Sequence, residues 1–212
     1  MICNICRSDA ASSFKTTDNK TYWSCNVCGC KYLDKLHFID PVEEEQRYLE
    51  HNNDIKDNEY RAFLSRLSEP LKEKISPGSN GLDFGCGTGP ALADMLTQDG
   101  FKVELYDPFF FPDEGALSKQ YDFITCTETA EHFYDPFKEF ETLDSLLKPG
   151  GWLGVMTSFL TSDEMFENWY YRRDPTHVTF YCEKTFQVIA SQRNWKCEIK
   201  SKDVVLLQKN ND

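Results

Sequence analysis

Two carboxylates and two imidazoles stand out for what they could do together. Glu128, Glu131 and His132 occur as E-x-x-E-H, and His177 closes the run Arg172-Arg173-Asp174-Pro175-Thr176-His177. Positions i, i+3 and i+4 share one face of a helical turn, so the spacing predicts that the first three side chains converge. Imidazole takes a proton near pH 7, which makes His132 and His177 candidate general bases, with Glu131 beside them. The same four groups could instead hold a divalent ion that orients an oxygen nucleophile and lowers its pKa. A third reading is structural, with Glu131-His132 capping a strand–helix junction and His177 packed in a loop. The sequence leaves the three open.

A second set could hold an anionic ligand. Gly81–Leu92 reads GLDFGCGTGPAL, a short apolar strand with Asp83 near its end, a Gly85-Cys86-Gly87-Thr88-Gly89 run and the start of a helix. Glycines let the backbone turn sharply and approach a ligand, and the following helix presents unpaired N–H groups. The spacing is GxGxG, not the GxGxxG of a dinucleotide fold, and no G-x-x-x-x-G-K-[ST] is present. Asp107, 24 positions beyond Asp83, ends the next strand, where an open α/β sheet places a carboxylate for ribose hydroxyls.

The third set is metal-binding. Cys3-x-x-Cys6 and Cys25-x-x-Cys28 are separated by eighteen residues, within the spacing of a four-cysteine zinc site. Gly29 supplies the left-handed residue that such a knuckle needs, and the intervening Thr/Tyr/Trp-rich segment suits a small hairpin. Cys30 in place of Cys28 is an alternative ligand, and four incidental buried thiols a further one.

These groups need elements to position them. Tyr60, Phe63, Leu64, Leu67 and Leu71 recur at helical spacing, with a kink or break expected just before Pro70. Tyr48, His51 and Asn52 read as solvated helix residues. Helices are expected near Ala91–Thr97, after an Asp135 N-cap with Pro136 at N1, and over Glu183–Gln192. Strands are expected at Lys102–Tyr106, Tyr121–Cys126, Trp152–Thr157, Trp195–Lys200 and Val204–Lys209.

D-x-G-x-G-x-G resembles motif I of class I S-adenosylmethionine (SAM) methyltransferases, and TCTETAEHF resembles their motif IV. LLKPGGWLGVMT resembles their post-helix turn and strand, so the resemblance spans roughly residues 60 to 209. It implies an α/β fold: a three-layer, Rossmann-like sandwich whose mostly parallel sheet ends in a C-terminal antiparallel strand. It also implies a SAM site formed by Asp83, Gly85, Cys86, Gly87, Gly89, Asp107, Pro108, Thr127 and Glu128, with Asp107 on the ribose and Asp83 near the methionine end. A similar E-x-x-E-H occurs in ubiquinone-pathway O-methyltransferases and, with a later His, in small-RNA 2′-O-methyltransferases. One departure is plain: residues 108–120 are too few for the family's usual helix and third strand, so that strand is truncated or replaced. The adenine contacts therefore cannot be carried over, and Phe109, Phe110 and Phe111 suit either an adenine wall or the core.

Composition narrows the function classes. The net charge is -12, with five Lys/Arg against four acids in residues 1–40 and eighteen against thirty-one thereafter. An acidic body disfavours a polyanionic substrate. Paired cysteines, no secretory leader and no bilayer-length apolar run fit a cytoplasmic protein. The sequence thus predicts a zinc-binding module (1–40) and a SAM-dependent methyltransferase domain (41–212) acting on an O or N atom of a small molecule. The rivals are an RNA methyltransferase that uses the zinc module to hold RNA, and a non-catalytic zinc-containing adaptor. The oligomeric state is left open.

Overall fold

A computed structural model describes residues 1–50 and 54–211. His51 and Asn52 lie outside the described residues. The chain opens with hairpin β1 (Ala11–Thr17) and β2 (Lys20–Cys25), turned by Asp18 and Asn19 at φ 50° and 59°. Both residues tolerate the left-handed region that a tight hairpin turn demands. After β3 (Lys31–Leu33) comes α1 (Pro41–Leu49), whose Asp40 N-cap accepts from Val42 and Glu43 N–H with Pro41 at N1. Helix α2 (Asn58–Lys72) is likewise capped by Asp57. It continues through Pro70, so the chain does not break there, and Leu64, Leu67 and Leu71 hold its inner stripe in the core.

The domain proper follows as β4 (Asn80–Phe84), α3 (Ala91–Gln98), β5 (Lys102–Tyr106), β6 (Tyr121–Thr127), α4 (Pro136–Leu146), β7 (Leu147–Met156), β8 (Thr179–Phe180), α5 (Glu183–Gln192), β9 (Trp195–Ile199) and β10 (Val204–Lys209). Two details differ from expectation. Asp135 starts α4 but its carboxylate makes no cap; Arg7 takes it at 2.6 Å. Strand β7 begins at Leu147, so the Lys148–Gly151 turn is absorbed into it.

The main sheet has order β5-β4-β6-β7-β10-β9, parallel from β5 to β7, with β10 antiparallel to both neighbours. Strand β5 is an edge, because 108–120 form only a turn and a short 3-10 segment where a third strand would add. Alternation along β10 sorts the two faces: Val204 and Leu206 join α2 and α3, while Val205 and Leu207 join α4 and α5. That is the three-layer sandwich.

A second sheet, β1-β2-β3-β8, ties the amino-terminal segment to the long β7–α5 connection. Leu33 N–H donates to Val178 O at 2.8 Å, and Tyr22 and Leu33 share a core with Phe166, Trp169, Tyr171 and Phe180. No helix among the described residues is long and apolar enough to cross a membrane.

Candidate active site

A cavity of about 890 Å³ opens at the carboxyl ends of β4, β5 and β6. Open α/β sheets bind ligands at that edge. Helices α1 and α2 and the 170–177 segment roof it. Gly85, Cys86, Gly87, Asp107, Pro108, Thr127, Glu128, Glu131, His132 and His177 all line it, so residues spread over ninety positions meet in one chamber.

On one side lies the glycine elbow. Gly85 and Gly87 sit at φ 77° and 63°, which side chains rarely adopt. A Cβ on Gly85 would fall 2.1 Å from Thr129 Cγ2. Asp107 Oδ2 accepts from Gly87 N–H at 3.0 Å, and Oδ1 accepts from Phe109 and Phe110 N–H at 2.9 and 3.1 Å. The carboxylate is thus fixed by three backbone donors while facing the cavity. Phe109 and Phe110 wall the chamber; Phe111 instead pairs its backbone with that of Asp107. Asp83 and Gly89 are not in the main cavity but border an adjoining cleft of about 20 Å³. Burial pushes the Asp83 carboxyl up to about 6, opposed by a 2.7 Å bond from Thr125 Oγ1.

On the other side are the carboxylates and imidazoles. One ligand atom each from Glu131, His132 and His177 lies within 4.8 Å of the others. They do not meet as one helical face. Glu128 follows the end of β6 at φ 48°, and only Ala130–His132 form a 3-10 turn, so Glu128 falls outside that trio. Burial, then the Glu131 charge, raises the Glu128 carboxyl to about 9. Tyr171 O–H donates to Glu131 Oε1 at 2.5 Å, whereas the buried Oε2 has no hydrogen-bond partner among the described residues. The Nδ1 atoms of His132 and His177 stand 3.1 and 2.7 Å from the carbonyls of Thr176 and Tyr171. A carbonyl only accepts, so each Nδ1 carries the proton and Nε2 is the basic atom of the neutral ring. Burial lowers the His177 pKa below 6.5, which keeps that ring neutral at pH 7.

Sequence reasoning missed part of the lining. Tyr48, expected to be solvated, points its hydroxyl at Glu44 and packs its ring 5.1 Å from His132. Glu44, Tyr134, Tyr171 and Asp174 also line the chamber. The aromatic run Trp169-Tyr170-Tyr171 was a signal for the last wall; nothing in VEEEQRYLE marks Glu44.

The thiols of Cys3, Cys6, Cys25 and Cys28 lie within 4.8 Å of one another, all buried. Cys3–Cys28 and Cys6–Cys25 are 3.8 and 3.6 Å apart, and Zn–S bonds of about 2.3 Å in a tetrahedron require sulfurs about 3.8 Å apart. The four residues fit zinc. Cys30 lies 3.4 Å from Cys28 and 3.6 Å from Cys3, outside the group of four. Gly29 takes φ 76° as the knuckle requires.

Residues 46–198 match the model of a family described as a methyltransferase domain. The chain belongs to that family. A search of curated proteins finds no match. Among solved structures the methyltransferase is similar to the 1,6-didemethyltoxoflavin N1-methyltransferase of Burkholderia thailandensis, solved with 1,6-didemethyltoxoflavin and S-adenosylhomocysteine. Identity is 13%, the match covers 94% of this chain and 99% of that one, and the TM-score is 0.54. An O-methyltransferase family protein from the same organism is 15% identical over 80% of this chain and 63% of the other, at a TM-score of 0.50. These likenesses show the fold, the three-layer α/β sandwich of class I methyltransferases.

Proposed function

We propose that this methyltransferase moves the methyl group of SAM to an oxygen or nitrogen of a small molecule, as its resemblance to ubiquinone-pathway O-methyltransferases suggests. The observation that carries the reading is that the glycine elbow, Asp107 and the Glu131–His132–His177 trio open into one chamber. The Gly85–Gly89 turn would hold the amino-acid end of SAM and Asp107 its ribose, with Cys86, Pro108, Thr127 and Glu128 along the walls. SAM supplies an activated methyl group, so the protein must align the acceptor and remove one proton. His177 or His132 Nε2 takes that proton, and Glu131 stabilises the imidazolium that results. The trio also supports a second reading, in which Glu131, His132 and His177 hold a divalent ion against the acceptor oxygen.

Residues 1–40 serve as a zinc-binding module on the 41–212 methyltransferase domain. Its sheet continues into β8, which starts two residues after His177, and so the module buttresses the acceptor wall. That placement and the acidic surface favour a scaffold over an RNA clamp. The experiment is S-adenosylhomocysteine formation from SAM with a panel of small hydroxyl and amine acceptors and with RNA, with and without Mg²⁺ or Mn²⁺. Turnover on RNA alone would overturn the reading. Dependence on added ion would select the metal form.

A further inference from the structure

Helix α1 places in the chamber a carboxylate that methyl transfer does not use. Glu44 is 5% exposed and lines the cavity. Its two oxygens accept from Tyr48 O–H at 2.7 Å and Tyr134 O–H at 2.9 Å. It forms no ion pair among the described residues: Arg47, one turn along, is committed to Asp174 at 2.9 Å and Glu50 at 2.6 Å. A buried carboxylate without a countercharge is costly, and phenol donors offset only part of that cost. The rings that hold it extend into an aromatic box. Phe109 lies 5.5 Å from Tyr48, and Phe38 lies 4.7 Å from Tyr134.

A second, independent observation points the same way. Glu131 lines the same cavity yet is 0% exposed, and its buried Oε2 has no hydrogen-bond partner among the described residues. A donor from the ligand would satisfy it. The lining as a whole carries the carboxylates of Glu44, Asp107, Glu128, Glu131, Glu139 and Asp174 against the guanidinium groups of Arg47 and Arg173. Burial raises the Glu128 and Glu139 carboxyls, but even with both left out the other four carboxylates outnumber the two guanidinium groups and the single net positive charge of SAM, so the chamber stays anionic with its donor bound.

We propose that the acceptor carries a protonated amine, seated on Glu44 between Tyr48 and Tyr134, with the atom to be methylated turned toward Glu131. A carboxylate flanked by aromatic rings binds an ammonium through a charge-assisted hydrogen bond and cation–π attraction. Phosphorylated or carboxylated acceptors are disfavoured by the same charge. The inference rests on the chamber being a methyltransferase acceptor site.

The test titrates protein saturated with S-adenosylhomocysteine with three phenols that differ in side-chain charge: tyramine (cationic), tyrosol (neutral) and 4-hydroxyphenylacetate (anionic), at pH 7. Tyramine is expected to bind at least about tenfold more tightly than tyrosol. 4-Hydroxyphenylacetate should be weakest. Glu44→Gln should erase the tyramine preference while leaving S-adenosylhomocysteine affinity unchanged. If that variant does not fold, a salt series on the wild type serves instead: tyramine affinity should fall with ionic strength and tyrosol affinity should not. Equal binding of the three, tightest binding of the anion, or no binding of tyramine overturns the proposal. Loss of S-adenosylhomocysteine binding in the wild type would instead sink the methyltransferase reading.

Discussion

Tyr171 donates a 2.5 Å hydrogen bond to Glu131 in a buried setting, and its own carbonyl accepts from His177 Nδ1 at 2.7 Å. One residue therefore sets the position of both the carboxylate and the imidazole. Tyr171→Phe keeps the ring and the carbonyl but leaves Glu131 Oε1 without this donor. An unsatisfied buried acceptor costs about 1–3 kcal/mol. We expect turnover to fall roughly 10- to 100-fold. S-adenosylhomocysteine affinity, read by calorimetry, should not change. An equal loss of both would place Tyr171 in the donor site instead.

The glycine elbow gives a second expectation. Gly85→Arg adds a side chain at a positive φ and against Thr129, so S-adenosylhomocysteine binding should be abolished. Asp107→Ala removes the acceptor of three backbone N–H groups as well as the proposed ribose partner. Binding should weaken by at least about tenfold, and Asp107→Asn should recover part of it. Unchanged affinity in both variants would remove the donor site from this elbow.

The fold was legible because its signals are local. Helix α5 and strands β5 and β10 fall at the expected residues, since their apolar residues and the polar turns between them mark the bounds. The missing third strand followed from the shortness of 108–120 set against what the family resemblance implies. The site was only partly legible. Glu128 joined the predicted helical face because E-x-x-E-H has helical spacing, but strand β6 reaches Thr127 and forces a left-handed residue at its end. Glu44 was hidden for the opposite reason: a charged run looks solvated until tertiary packing turns one of its faces inward.

Glu128 gives a pH prediction. Its folded pKa, raised to about 9, lies above the ordinary value of 4.5, so between these values the folded state holds a proton that the unfolded state has released. The stability tied to this group is present below pH 4.5 and is lost as pH rises toward 9. Glu128→Gln cannot ionise and should escape that loss. Melting temperatures of ligand-free protein at pH 5 and pH 8 should therefore diverge, the variant gaining on the wild type at pH 8. For a chain of this size each kcal/mol moves the midpoint by about 2–4 °C. Parallel curves would show Glu128 ionised in the folded state.

The amino-terminal module supplies the last prediction. Arg172 is 4% exposed and donates to Asp18 at 2.7 Å, Tyr22 O–H at 3.3 Å and the carbonyls of Phe166 and Glu167, pinning hairpin β1–β2 to the chain just before Arg173. At the end of β3, Leu33 N–H donates to Val178 O at 2.8 Å, and Val178 N–H in turn donates to Glu131 O at 2.9 Å. A thiolate-bound zinc would hold the far end of this path, since so small a segment has little apolar core of its own. Metal analysis should give about one zinc per chain. Chelation, or Arg172→Met with the metal retained, should speed amide hydrogen exchange at residues 20–33 and 166–180. Strands β4 and β6 and S-adenosylhomocysteine affinity should be spared, because the donor elbow belongs to the other sheet. Exchange that rises evenly across both sheets would make the module a general stabiliser, and exchange that does not change at 176–180 would disconnect it from the acceptor wall.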